Sequence, residues 1–269
     1  MKKFFFSLLA IAAIAACAKT EDVYTEENTE IQISPVTSVA TKANVKQAID
    51  GIAYPTAEDF DVFAYWKNEP AGSTFTTGET NYLIADDATG VEFTNKGAYW
   101  GGTTTYYWPK NGSLRFAAYS PSSKLAMAHN LASDVYELNG LTYPVDIKES
   151  FDILVAPTSE SYTAQTAAEK VSVVFEHALS WINFKVTSTA VASEAFTITD
   201  VIVNNVNNHG NLVADMKAGT KTWSTALPQT INVYNSTTGQ TVNALPTVIE
   251  NADDNGNVGY SFLVLPQPT

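Results

Sequence analysis

Several residue types are nearly missing from this chain of 269 residues, which holds one cysteine, one arginine and three histidines. A single cysteine, Cys17, cannot form an intrachain disulfide, so no disulfide framework holds the fold. A single arginine, Arg115, and a formal net charge of −13 remove the clustered basic side chains that nucleic acid or an anionic membrane surface requires. His129, His177 and His209 lie far apart, without H-x₃₋₅-H or HExxH spacing, and no metal site is expected from them. Asp253-Asp254-Asn255-Gly256-Asn257 offers oxygen ligands, but Gly256 falls two places early for a calcium loop counted from Asp253. Its twelfth position is Val264 rather than glutamate, so the segment reads as a hairpin turn. There is no G-x-S-x-G, no phosphate-cradling glycine loop and no nameable pair of glycosidase carboxylates. The expectation is a protein that is not an enzyme, with no catalytic residue and no cofactor.

Long apolar runs are scarce too, and the clearest stands at the N-terminus. Met1-Lys2-Lys3 is positive and Phe4 to Ala16 is apolar, a run too short for the about 20 residues that a stable membrane span needs. It ends Ile14-Ala15-Ala16-Cys17, which resembles a bacterial lipobox in which Cys17 is acylated and becomes the new N-terminus. Residues 1–16 are thus expected to be a lipoprotein signal peptide. Several acyl chains, at about 0.8 kcal/mol per buried CH₂, would make the attachment durable. Loss of Lys2 and Lys3 would leave a mature chain still more acidic. Residues 17–42 open with a polar, acidic run and read as a flexible tether carrying a candidate first strand, Ile31 to Pro35. An acidic cluster directly behind a lipidated cysteine is similar to the surface-export signal of Bacteroidetes lipoproteins.

What the chain has in quantity is threonine, valine, tyrosine and phenylalanine, which favour strands. Val171 to Val186, VSVVFEHALSWINFKV, is the clearest stretch. Val171, Val173 and Phe175 share one face of a first limb, and Ile182, Phe184 and Val186 one face of a second. In the second limb Trp181, Asn183 and Lys185 are expected outward. The joint His177-Ala178-Leu179-Ser180 suits a chain passing from one β-sandwich to another. Phe60 to Trp66, Leu114 to Pro121, Asp152 to Ala156, Phe196 to Val203, Thr230 to Tyr234 and Val258 to Pro266 are further strand candidates. Asn111-Gly112 is a favoured hairpin step. Leu125 to Leu131 is expected to form a brief helix, Tyr162 to Lys170 a polar loop or helical turn, and Asn204 to Asn211 a loop. Short strands with turns every 8–12 residues predict an all-β sandwich architecture. The expected division is 43–176 for an N-terminal domain and 177–269 for a C-terminal one. The sequence stops just behind a strand, an ending expected to leave an edge unpaired or the domain incomplete.

Tyr99, Trp100, Tyr106, Tyr107 and Trp108 cluster around Gly101-Gly102. Exposed aromatic faces stack on sugar rings, so Trp100, Tyr107 and Trp108 are candidates for glycan binding, against the alternative that they are core.

Four segments taken together resemble the fimbrillin-like (Mfa-like/FimA-like) surface lipoproteins of Bacteroidales. They are Asp61 to Trp66, Tyr107-Trp108-Pro109 with Phe116 to Pro121, Asp152 to Ala156, and Phe175 to Ser180; Phe262 to Gln267 is similar as well. The resemblance implies two tandem transthyretin-like Greek-key sandwiches and a place in a surface-exposed fimbrium at the outer membrane. It also implies fimbrial subunits as partners, with a host or bacterial surface receptor as a further one. In polymerising members a protease removes an N-terminal segment, and a neighbouring subunit's strand fills the groove. Carried onto this chain, cleavage would fall at Lys42-Ala43, and Ile31 and Ile33 would be the pocket-filling side chains. The chain departs from the arginine-cleaved pattern, because Arg115 lies inside a predicted strand. The alternative is a monomeric surface lipoprotein that binds glycans.

Overall fold

The computed structural model describes residues 29–37, 53–68, 81–85, 89–130, 135–146, 149–156, 162, 170–183, 185–186, 196–215, 218, 220–242, 247–248, 251–252, 258–259 and 261–268. Cys17, Lys42, Ala43, Phe184 and the Asp253–Asn257 turn lie outside the described residues. The chain is all-β, as its composition predicts. Its strands in order are β1 (Ile33–Thr37), β2 (Phe60–Lys67), β3 (Asn81–Ile84), β4 (Val91–Asn95), β5 (Trp100–Gly102), β6 (Ser113–Ser120), β7 (Ala128–Asn130), β8 (Val135–Thr142) and β9 (Leu154–Ala156). There follow β10 (Val171–His177), β11 (Ser180–Asn183), β12 (Lys185–Val186), β13 (Phe196–Asp215), β14 (Thr220–Val242), β15 (Thr247–Val248), β16 (Asn251–Ala252), β17 (Val258–Gly259) and β18 (Ser261–Val264).

The first half forms an eight-stranded sheet in the order β3-β2-β4-β5-β1-β10-β9-β6, and β6 also pairs with β2. Seven strands therefore close into a ring, with β3 attached to β2 beside β4. Ile31, Ile33, Phe60, Val62, Ile84, Phe93, Phe116, Leu154, Val171, Val173 and Phe175 belong to the core that this ring encloses. A second core lies on the outside of β2, β6 and β9, where Phe63, Tyr65, Ala117, Tyr119, Ile153 and Val155 meet Tyr136, Leu212, Ala214 and Leu263. Strand β2 is thus buried on both faces, with Phe60, Val62 and Ala64 in one core and Phe63 and Tyr65 in the other.

The partner in that second core is a four-stranded sheet, β14-β13-β8-β7. It joins β7 and β8, from before residue 176, to β13 and β14, from after it, so the sheet crosses the expected boundary between 176 and 177. A third, smaller core of Val206, Ile231, Phe262 and Val264 lies where the long β13–β14 ribbon meets β18.

Local expectations fare unevenly. In β10 the alternation holds, with Val171, Val173 and Phe175 buried and Ser172 exposed. In β11 it does not: Trp181 packs against the second core while Ile182 packs against the third, so both faces of that strand are covered. The helix expected at 125–131 is absent from the described residues. Leu125, Met127 and His129 are buried alternately, a period of two, and residues 128–130 pair with β8. The loop expected at 204–211 is part of continuous strand β13. Asparagine disfavours strands locally, but here β8 and β14 flank the segment and Asn207 and Asn208 bond across to Gln267 and Tyr143. Irregularity survives as register shifts between Val203 and Val206 against β14 and between Gly210 and Leu212 against β8, with Asn205 at φ 61°. Gly112 is demanded by its turn: its φ is +83°, and a Cβ would sit 2.1 Å from the Lys67 carbonyl oxygen.

Candidate functional site

The site is the seam at which the N-terminal strand closes the ring. Strand β1 pairs with β10 over Ile33↔Val171 to Thr37↔Phe175, and with β5 at Ile33↔Trp100 alone. The β1–β10 ladder is parallel, whereas the other named ladders among the described residues are antiparallel. Along β1 burial alternates strictly, so that Ile33, Pro35 and Thr37 face inward, continuing from Ile31. Ile31 is 2% exposed and Ile33 is 0% exposed. Each such isoleucine contributes about 1.5–3 kcal/mol relative to an exposed one. Pro35 has no N–H to give either neighbour, which weakens the ladder at its centre.

Bonds before the strand extend the hold. Ile31 N–H donates to the Tyr106 carbonyl at 2.8 Å, Trp108 N–H to the Thr29 carbonyl at 3.0 Å, and Val171 N–H to the Gln32 carbonyl at 2.9 Å. The Tyr99 hydroxyl donates to the Glu30 carboxylate at 3.0 and 3.1 Å, and this bond raises the Tyr99 pKa above its usual value. The Lys170 ammonium, just before β10, donates to the Ala98 carbonyl, just before β5, tying together the two strands that flank β1.

Behind the strand the groove is aromatic. Tyr54 packs on Phe175 at 5.2 Å between ring centroids, on Phe60 at 5.3 Å and on Trp100 at 5.9 Å. The Tyr54 hydroxyl meets Ser120 Oγ at 2.6 Å, and burial raises its pKa. The Trp100 indole N–H is buried with no hydrogen-bond partner among the described residues.

Ile31 and Ile33 are therefore together, side by side on one inward face. The three aromatic candidates are not. Trp108 is 8% exposed and packs edge-on against Phe116; Trp100 is half-buried in the groove; Tyr107, at 45% exposed, alone presents a large free surface. The principal contacts of this aromatic segment are with the first strand and the ring core. Tyr54 was not singled out, since nothing in its local sequence marks it as a groove residue. The histidines go to separate places: His129 stacks on Tyr136, His177 pairs with Asp152 at 2.7 Å, and His209 meets Thr142. No cluster of three or more metal-ligating side chains occurs among the described residues.

No curated protein matches the chain significantly. Solved structures show a distant likeness. A candidate cell adhesion protein from Bacteroides uniformis is 15% identical, covering 88% of this chain and 76% of its own, with a TM-score of 0.43. One from Bacteroides ovatus is 14% identical over 88% of this chain and 78% of its own, with a TM-score of 0.44. A fimbrial protein from Bacteroides ovatus is 13% identical over 86% of this chain, with a TM-score of 0.35, and this chain spans 54% of its length. The fimbrillin-like sequence profile matches residues 56–269, most of the chain. On that match, the chain belongs to the fimbrillin-like family.

Proposed function

We propose that this protein is a structural or adhesive subunit, whether shaft, tip or anchor, of a cell-surface fimbria, and that it assembles by exchanging β1 for a strand from a neighbouring subunit. The observation that carries the reading is the place of β1. It is the strand whose removal would open the ring between β5 and β10, uncovering the pockets now filled by Ile31 and Ile33. An opened groove offers the backbone groups of Val171 to Phe175 and alternate apolar pockets, the two elements of β-augmentation. Its partners are then other fimbrial subunits. Export as a lipoprotein acylated at Cys17, with later cleavage at Lys42-Ala43, is the route that fits the sequence; removal of residues 17–42 takes β1 with it. The two-domain division, 43–176 and 177–269, is kept in this reading, with β7 and β8 contributed by the first to the sheet of the second.

The alternative of a glycan-binding monomer loses support from the burial of Trp108, which leaves Tyr107 as the free ring in that patch. The test is intact mass and N-terminal sequencing of protein taken from the surface of its native cells. A start at Ala43 is expected of a polymerising subunit, and acylated Cys17 of an anchor. Any start that leaves residues 29–37 attached in SDS-resistant polymers refutes exchange of β1.

A further inference from the structure

A polar atom is stranded in the groove behind β1. The Trp100 indole N–H is buried with no hydrogen-bond partner among the described residues, a state that costs free energy and that native folds seldom leave unexplained. The indoles of Trp66 and Trp223, by contrast, donate to the carbonyls of Asn111 and Ala178, each at 2.7 Å. Trp181 is stranded too, but its strand pairs with β18 and not with β1. The aromatic neighbours of Trp100 offer it no free acceptor. Its ring meets Tyr54 edge-on at 5.9 Å and lies 6.5 Å from Phe60. Phenylalanine has no acceptor, and the Tyr54 hydroxyl is already engaged with Ser120 Oγ at 2.6 Å and with the Asp59 carbonyl at 3.1 Å. Across the ladder stands β1, with Ile33 directly opposite Trp100. Opposed residues of an antiparallel pair share a face, with Cβ atoms about 4.5–5.5 Å apart, and isoleucine has no acceptor to give.

We infer that the strand displacing β1 carries a hydrogen-bond-accepting side chain, threonine, serine, asparagine or glutamine, in the place of Ile33, and that Trp100 selects it. The inference rests on the exchange of β1 proposed above and names the chemistry of the incoming partner. Of the groups beside the indole, β1 is the one that exchange replaces, so the incoming strand can satisfy the N–H without altering the rest of the ring. All four of these side chains have an oxygen that accepts. Thr37, also inward and 3% exposed, shows that this face of the groove takes a hydroxyl. A strand so equipped gains a bond that the chain's own β1 lacks. At equal apolar burial that bond favours a neighbour's strand over self-closure.

The test begins in the full chain with β1 in place. Ile33→Val and Ile33→Thr differ little but by a hydroxyl, and Ile33→Met and Ile33→Gln form a longer pair. Urea unfolding of each is measured with Trp100 and again with Trp100→Phe. For at least one pair, the ratio of folding constants, polar over apolar, is expected to be about tenfold higher with Trp100 than with Trp100→Phe. In that pair the Trp100 indole N–H resonance should move downfield in the polar member alone, a readout that needs no Trp100 variant to fold. Ratios and resonances unmoved in both pairs would overturn the inference. After cutting between residues 42 and 43 and removing the leader, peptides of residues 29–37 with the same substitutions should bind with the same preference. Uptake of polar and apolar peptides with equal affinity overturns the inference and leaves exchange of β1 standing. Uptake of none overturns exchange, and the inference with it.

Discussion

Replacing Ile33 with alanine tests the exchangeable-strand reading most directly. The side chain is fully buried, in register with Val171 on one side and Trp100 on the other. Truncating such a residue costs about 2–5 kcal/mol, combining lost transfer energy with the cavity left behind. In the intact protein that cost is shared with the rest of the fold. It can be isolated by introducing a specific protease site between residues 42 and 43, cutting, and removing the leader. Rebinding of a synthetic peptide spanning residues 29–37 is then followed by calorimetry. The same 2–5 kcal/mol predicts a loss of affinity between about 30-fold and several thousand-fold for the Ile33→Ala peptide. Ser34, on the opposite face and half-buried, should tolerate alanine within about twofold. If the two substitutions weaken binding equally, side-chain pockets do not drive the capture. If the cut protein takes up no peptide at all, the groove does not exist as an acceptor.

Two further outcomes follow from side chains outside β1. Trp108→Ala should cost about 3–5 kcal/mol in thermal or denaturant unfolding, whereas Tyr107→Ala should stay within about 0.5 kcal/mol; a reversal would place Trp108 at the surface. Asp61 in β2 has its pKa raised from 3.8, chiefly by burial, with the Tyr119 hydroxyl opposing the rise. The folded state therefore holds the proton more tightly than the unfolded chain, and stability falls as pH rises from 3.8 through the raised folded value. Asp61→Asn should raise the melting temperature at neutral pH and leave it nearly unchanged at about pH 3, where both states carry the protonated acid. An equal change at both would assign the effect to packing alone.

The parts of the fold that could be read from sequence are those whose signal is local. Val171, Val173 and Phe175 announce β10 by alternation, and Gly112 announces its turn. Strand β2 shows how the same signal falls short: Phe60, Val62 and Ala64 mark one buried face, yet Phe63 and Tyr65 are equally buried because a second sheet lies over them. Local propensity misled at Asn204 to Asn211, where flanking strands impose an extended backbone on residues that favour turns. At Leu125 to His129 a short apolar stretch fitted a helix as well as a strand, and only pairing with β8 decided it. The candidate site lay furthest from view. Ile31 and Ile33 could be picked out through a family resemblance, but nothing near them indicates β10 as their neighbour.

The parallel ladder between β1 and β10 also has a kinetic side. Ile33 and Val171 are partners across 138 residues of chain, so their meeting requires the closure of a very long loop. Made before β10 during synthesis, β1 cannot take its place until that much later strand is present. Until β10 is in place the ring has no wall on that side, and β1 lacks its principal ladder. If assembly proceeds by exchange of β1, as proposed above, the lateness of this closure sets the time for which the groove stays open to a neighbouring subunit's strand.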